Sequence, residues 1–174
     1  MSGPESARLA GMRNRVVSHL GSRDVSHIIY GATVSLALII AVQDHPPAAG
    51  TLAAELIATG VAIGLAELYA DFVSTEARTR RRVARADLAE MVREASAVVF
   101  GAGFPAIFFV LAAAGVLSID HAFTFAKWSG IGLIAGYGYL AARLAGAPHT
   151  HSAARGLAIG LVGAALIALK ALLH

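Results

Sequence analysis

The sequence contains no cysteine, which excludes disulfides, thiolate metal centres and cysteine nucleophiles. Charge is scarce as well: Asp, Glu, Lys and Arg make up 14% of the 174 residues, against about 25% in an average soluble domain. No Gly-x-Ser-x-Gly elbow, P-loop, dinucleotide fingerprint or His-Glu-x-x-His helix occurs, so nothing argues for an enzyme. A cleavable leader is not expected, because residues 1–23 are polar and hold four arginines, whereas a signal peptide needs a short apolar core and a small-residue cleavage site. What is present in quantity is apolar: 57% of the residues are hydrophobic and the mean hydropathy is +0.68. A chain this short has too little interior to hide that much apolar surface from water, and lipid is expected to be its main solvent.

Five runs are long enough to cross a bilayer as helices: 25–42, 51–73, 95–117, 122–142 and 153–173. They lack the alternation that membrane strands require, so the expected fold class is all-α, a polytopic membrane protein. The arginines fall in the basic tail 1–24, in the loop 74–94 and at the edges of the fourth loop, while Lys127 and Lys170 lie toward the other side. By the positive-inside rule this places the N-terminus inside and the C-terminus outside, in a multi-pass protein of the inner (plasma) membrane with one transmembrane domain over 25–173. Thr51, Ser118 or Asp120, and Ser152 are the expected N-caps. Residues 74–94 contain neither Gly nor Pro, so the second helix should project past the membrane and return as a cytoplasmic helical hairpin turning near Arg85. Asp87-Leu88-Ala89-Glu90 has the spacing of a capping box, and Pro105 should kink the third span.

Ionised side chains at the centre of a span cost about 2.5–3.5 kcal/mol on translocon scales, which draws attention to Glu55, Glu67 and Asp71 of the second span. At about 100° per residue, Glu67 and Asp71 lie about 40° apart, with Gly60 and Gly64 in the same arc. That pattern describes a groove of small residues leading to two carboxylates, a cation or proton site near the cytoplasmic end; the plainer alternative has Asp71 at the interface and Glu67 paired with an arginine. Oxygen ligands suit hard divalent ions. Asp87, Glu90, Met91 and Glu94 share an arc of about 100°, either a metal-capture stripe or acids favoured by a helix dipole. The Arg78–Arg85 cluster fits anionic lipid beside a span better than nucleic acid. His149-Thr150-His151 is too short a set for metal ligation and is expected in a polar loop. Three Gly-x-x-x-Gly pairs, 60/64, 132/136 and 156/160, favour close helix contacts and a dimer. Glu55 and Lys127 lie at similar depth from one side, about 6 and 7.5 Å into their spans, and a structural ion pair between them is expected.

Several segments in order resemble the vacuolar iron transporter family of Fe²⁺/Mn²⁺ exporters. Ala70-Asp71-Phe72-Val73-Ser74 is similar to the Gly-Glu-Tyr-Val-Ser motif ending that family's second helix. Tyr30-Gly31 with Val34-Ser35 resembles its first-helix motif, Phe100-Gly101-Ala102-Gly103-Phe104-Pro105 its third-helix Gly-Ala-x-x-Pro, and 136–143 with 155–163 its last two helices. The likeness covers roughly residues 20–173. It departs from the family where Thr33 stands near the first-helix Asp-Gly, where Asp71 replaces Glu, where Glu67 replaces a metal-contacting Met, and where the hairpin 74–94 stands for larger cytoplasmic metal-binding helices. The resemblance implies a homodimeric divalent cation transporter, with Fe²⁺ or Mn²⁺ as cargo rather than cofactor, exchanged for protons. It implies metal contacts from Glu67, Asp71, Asp87, Glu90, Met91 and Glu94 and a path past Thr33, Gly60, Gly64 and Ser74, with no catalytic residue and no nucleic-acid partner. The alternative is a non-transporting membrane scaffold or lipid-binding protein that retains the fold.

Overall fold

The computed structural model describes residues 22–173, so the basic tail over 1–21 lies outside the described residues. Every regular element among the described residues is an α-helix: α1 (Ser22–Val42), α2 (Ala49–Thr79), α3 (Arg85–Gly103), α4 (Ala106–Ala113), α5 (Ile119–Leu144) and α6 (His149–Leu173). Two of them, α1 from Asp24 and α2, are long and apolar enough to cross a membrane, and α3 with α4 makes a third when the bent pair is taken as one span. The remaining long helices, α5 and α6, have 26 and 25 residues. The apolar run of α5 is diluted by Lys127, Trp128, four glycines and two tyrosines.

Each expected span has a helix, and the differences lie at the ends. Between α3 and α4 the axis turns by 49°. Pro105 supplies no amide proton there, and its ring displaces the carbonyl one turn back. The helix of the expected third run stops at Ala113, short of Leu117, because the chain reverses at Gly115 with φ 75. There the amide of Gly115 donates to Ala112 O and that of Val116 to Leu111 O, the bonding pattern of a Schellman stop. Gly146 ends α5 in the same way, with φ 83 and amide bonds from Gly146 to Arg143 O and from Ala147 to Ala142 O.

Of the expected N-caps, Ser118 is one: it precedes α5 and accepts from the His121 amide at 3.4 Å. Thr51 and Ser152 are not caps, since α2 begins at Ala49 and α6 at His149; the Ser152 hydroxyl instead donates to Pro148 O at 3.1 Å. His149–His151 therefore form the first turn of α6 rather than a loop, and His149 Nδ1 lies 2.8 Å from the Tyr139 hydroxyl of α5. The expected capping box at Asp87 is also corrected. The N-cap of α3 is Ala84, which has no hydroxyl or carboxylate to offer, so Asp87 falls inside the first turn.

Helix α1 lies at the centre, packed on α3 and α5; α2 packs on α3 and α4, and α6 on α5. The core toward the 43–48 loop gathers Ile39, Leu52, Leu56, Phe109 and Phe123. The last two rings meet edge-on at 5.0 Å, a preferred aromatic geometry. At the opposite end the loop following Thr79 leaves Arg80 in the left-handed region, φ 51, its amide donating to Glu76 O.

Candidate cation site

At the arginine-loop end, the last turns of α2 and the first turns of α3 enclose a cavity of about 510 Å³. The helical period explains its lining. Asp71, Ser74, Thr75 and Arg78 recur on one face of α2, and Asp87, Glu90, Met91 and Glu94 on one face of α3. With Thr79 and with His27 of α1 they form the wall. Five of the six expected metal contacts thus meet in one cavity, and Ser74 lies in it too. Met91 and Glu94 are buried, whereas Asp87 and Glu90 are exposed.

Glu67 does not line the cavity. It sits one turn deeper, with Oε2 at 3.9 Å from His27 Nε2, inside the charge field of His27, Asp71 and Glu94. That Oε2 atom is buried and has no hydrogen-bond partner among the described residues. Among the described residues the side chain paired with Glu67 is thus a histidine, where the plainer alternative expected an arginine. Glu90 is engaged by Arg93, whose Nη2 donates to Oε1 at 2.6 Å and also lies 3.4 Å from Asp24 Oδ1. Arg93 ties α1 to α3 immediately beside the cavity. No group of three or more His, Asp or Glu among the described residues stands close enough together to hold a metal ion. The arrangement is a polar vestibule with acids on several sides rather than a closed coordination shell.

Three of the expected path residues lie elsewhere. Thr33 donates its hydroxyl to Ile29 O of its own helix at 2.8 Å and is absent from the cavity wall. Gly60 and Gly64 form no groove, because α3 fills the space over them. A β-carbon on Gly60 would lie 3.0 Å from the Ala102 methyl, and one on Gly64 would lie 2.8 Å from Val99 Cγ2. Gly156 likewise serves packing, its would-be β-carbon 2.7 Å from Ala135 O, whereas Gly132 and Gly136 have nothing within 4 Å. The expected Glu55–Lys127 pair is not formed. Lys127 Nζ donates to Gln43 Oε1 at 2.8 Å, and Glu55 is exposed on α2. Equal depth does not bring them together, since α2 packs on α3 and α4 while α5 packs on α1 and α6.

His27 and Arg93 are the site residues that sequence reading passes over. The available signal was spacing: Asp24, His27 and Gly31 fall on one face of α1, and a β-carbon on Gly31 would strike the α3 backbone. The chain matches no family model, no curated protein and no solved structure.

Proposed function

We propose that the protein is an integral membrane transporter of divalent cations of the Fe²⁺/Mn²⁺ type, exporting them from the cytoplasm in exchange for protons. One observation carries this reading: carboxylates from two successive helices converge with a histidine on one cavity at the end of a helix long and apolar enough to cross a membrane. The resemblance to vacuolar iron transporters supports the same assignment. In this reading the bent pair α3–α4 is the third of five spans. Helices α5 and α6 are the last two, about 39 and 37 Å long at 1.5 Å per residue, sufficient for a hydrocarbon core of about 30 Å. The N-terminus and the arginine loop face the cytoplasm of the inner membrane.

Asp87 and Glu90 gather a hydrated ion at the open side, Asp71 and Glu94 hold it in the vestibule, and Glu67 beside His27 receives it one turn deeper. Carboxylates and an imidazole suit first-row divalent ions, and the Met91 thioether adds a softer contact. Proton counter-flow is the exchange that the resemblance to vacuolar iron transporters implies. Equilibrium binding of Mn²⁺ to the purified protein tests the cation-holding step: saturable binding, weakened in Asp71→Asn, supports it, and binding unchanged by that variant removes the vestibule from the account.

A second reading is a non-transporting membrane scaffold or lipid-binding protein. It is favoured by the lack of a three-ligand cluster among the described residues and by the engagement of Glu90 with Arg93.

A further inference from the structure

One cation is already seated beside the vestibule. Arg93 of α3 puts a single nitrogen against two carboxylates: Nη2 lies 2.6 Å from Glu90 Oε1 and 3.4 Å from Asp24 Oδ1. The two acids differ in their surroundings. Glu90 lines the cavity with its side chain 50% exposed, whereas Asp24, in the first turn of α1, stands behind the wall with its side chain 12% exposed. The short contact is thus made to the wetter carboxylate and the long one to the drier, although a counter-ion is worth more where water is scarce. Asp24 Oδ1 is also buried with no hydrogen-bond partner among the described residues, which is costly for a carboxylate oxygen. A shift of the guanidinium by about 0.6 Å would shorten the Asp24 contact from 3.4 Å to the ordinary charge-assisted length of about 2.8 Å. What holds Arg93 back is the charge of Glu90.

We infer that Arg93 is a specificity-determining residue, a tethered cation that a divalent ion must displace from Glu90 and that then settles on Asp24. Resting on the proposed cation function of the vestibule, this role decides which ions enter. An ion with two charges neutralises Glu90 more fully than the guanidinium does, and the displaced guanidinium gains the drier partner. A monovalent ion such as Na⁺ or K⁺ brings no more charge than the group it must replace and lacks that group's directed N–H donors, so it leaves Arg93 in place. Between ions the same contact neutralises one of the four acids that line the cavity, Asp71, Asp87, Glu90 and Glu94, and relieves their mutual repulsion.

Mn²⁺ alone is the probe, titrated into the purified full-length protein in detergent and read from the electron paramagnetic resonance of free Mn²⁺, with the ionic strength held constant by Na⁺ or by a bulky organic cation. Arg93→Met should bind Mn²⁺ about tenfold more tightly or better, as expected on removing a competitor held by a charged hydrogen bond. Its affinity should fall when Na⁺ replaces the organic cation, whereas the parent's should not change. Asp24→Asn removes the fallback position and should bind Mn²⁺ more weakly than the parent. In a Glu90→Gln background Arg93→Met should no longer tighten binding, because no contact is left to compete for. An arginine acting through its field alone would tighten binding equally with and without Glu90, and that result overturns the inference. Should Arg93→Met not fold, Asp24→Asn decides alone: Mn²⁺ binding that is unchanged or tighter overturns the exchange. Parent protein that binds no Mn²⁺ overturns the cation function of the vestibule and this role with it, whereas parent binding left unaltered by the Arg93 and Asp24 variants overturns this role alone.

Discussion

Gly31 of α1 and Gly101 of α3 are mutually locked: a β-carbon on Gly31 would strike the Val98 carbonyl oxygen, and one on Gly101 would strike the Ile28 carbonyl oxygen. Each glycine thus faces a carbonyl from the turn preceding its counterpart. The two backbones touch with no side chain between them, and this crossing sets the position of Asp24 and His27 against Arg93 and Glu94.

Gly31→Ala and Gly101→Ala should therefore push α1 from α3 and destabilise the protein by about 1–3 kcal/mol, the usual range for overpacking. Gly132→Ala is the matched control, because nothing lies within 4 Å of its would-be β-carbon. Thermal unfolding in detergent should show a clear drop for the first two and little change for the third. Equal melting temperatures in all three would show that the crossing is not tight.

Arg93 holds Asp24 across the α1–α3 contact and Glu90 within α3. Arg93→Met should take this partner from the largely buried Asp24 carboxylate and destabilise by about 1–2 kcal/mol, less than a fully buried pair because the Arg93 side chain is 34% exposed; adding Asp24→Asn should recover part of that loss. Additive effects of the two substitutions would show that the pair carries no coupling.

At the vestibule, Glu67→Gln and Asp71→Asn keep size and remove charge. Each should lower cation flux about tenfold or more, the equivalent of about 1.4 kcal/mol of lost stabilisation, with folding preserved. The triple replacement of Asp87, Glu90 and Glu94 by Ala should raise the half-saturating metal concentration more than it lowers maximal flux. A purely helix-stabilising role for those acids gives the opposite pattern, an unchanged half-saturation with a lower melting temperature.

Ser118 caps α5 with its side chain, and Ser118→Ala should cost about 1 kcal/mol. Thr51→Ala, expected to matter equally on sequence grounds, should cost little, because Thr51 sits exposed in the first turn of α2. A reversed order in thermal unfolding would contradict the assigned helix starts.

How much of this was readable beforehand depends on whether a feature is local. The helices, the bend at Pro105 and the return of the chain between Thr79 and Arg85 follow from apolar runs, a missing amide proton and the arginine-rich break. The convergence of Asp71 with Asp87, Glu90 and Glu94 was legible in part, since the helical period fixes which residues share a face and a short hairpin turns two such faces toward each other. Neighbour order is not local. Depth along a helix placed Glu55 level with Lys127, but nothing in the spacing says that α1, α3 and α4 take the positions around α2. For the same reason three Gly-x-x-x-Gly pairs of identical pattern end differently: 60/64 under α3, 156/160 against α5, and 132/136 facing outward. His27 was hidden because a lone histidine in an uncharged run carries no periodic signal of its own.

In the proposed function the acids around the vestibule carry a divalent cation across the membrane. Flux into proteoliposomes tests it most directly, with Mn²⁺, Fe²⁺ and a panel of other ions, and with the parent protein beside Glu67→Gln and Asp71→Asn. The account predicts saturable uptake of at least one divalent ion by the parent and its loss in both variants. Folded parent protein that moves none of the ions, or uptake that persists undiminished in both variants, would contradict it.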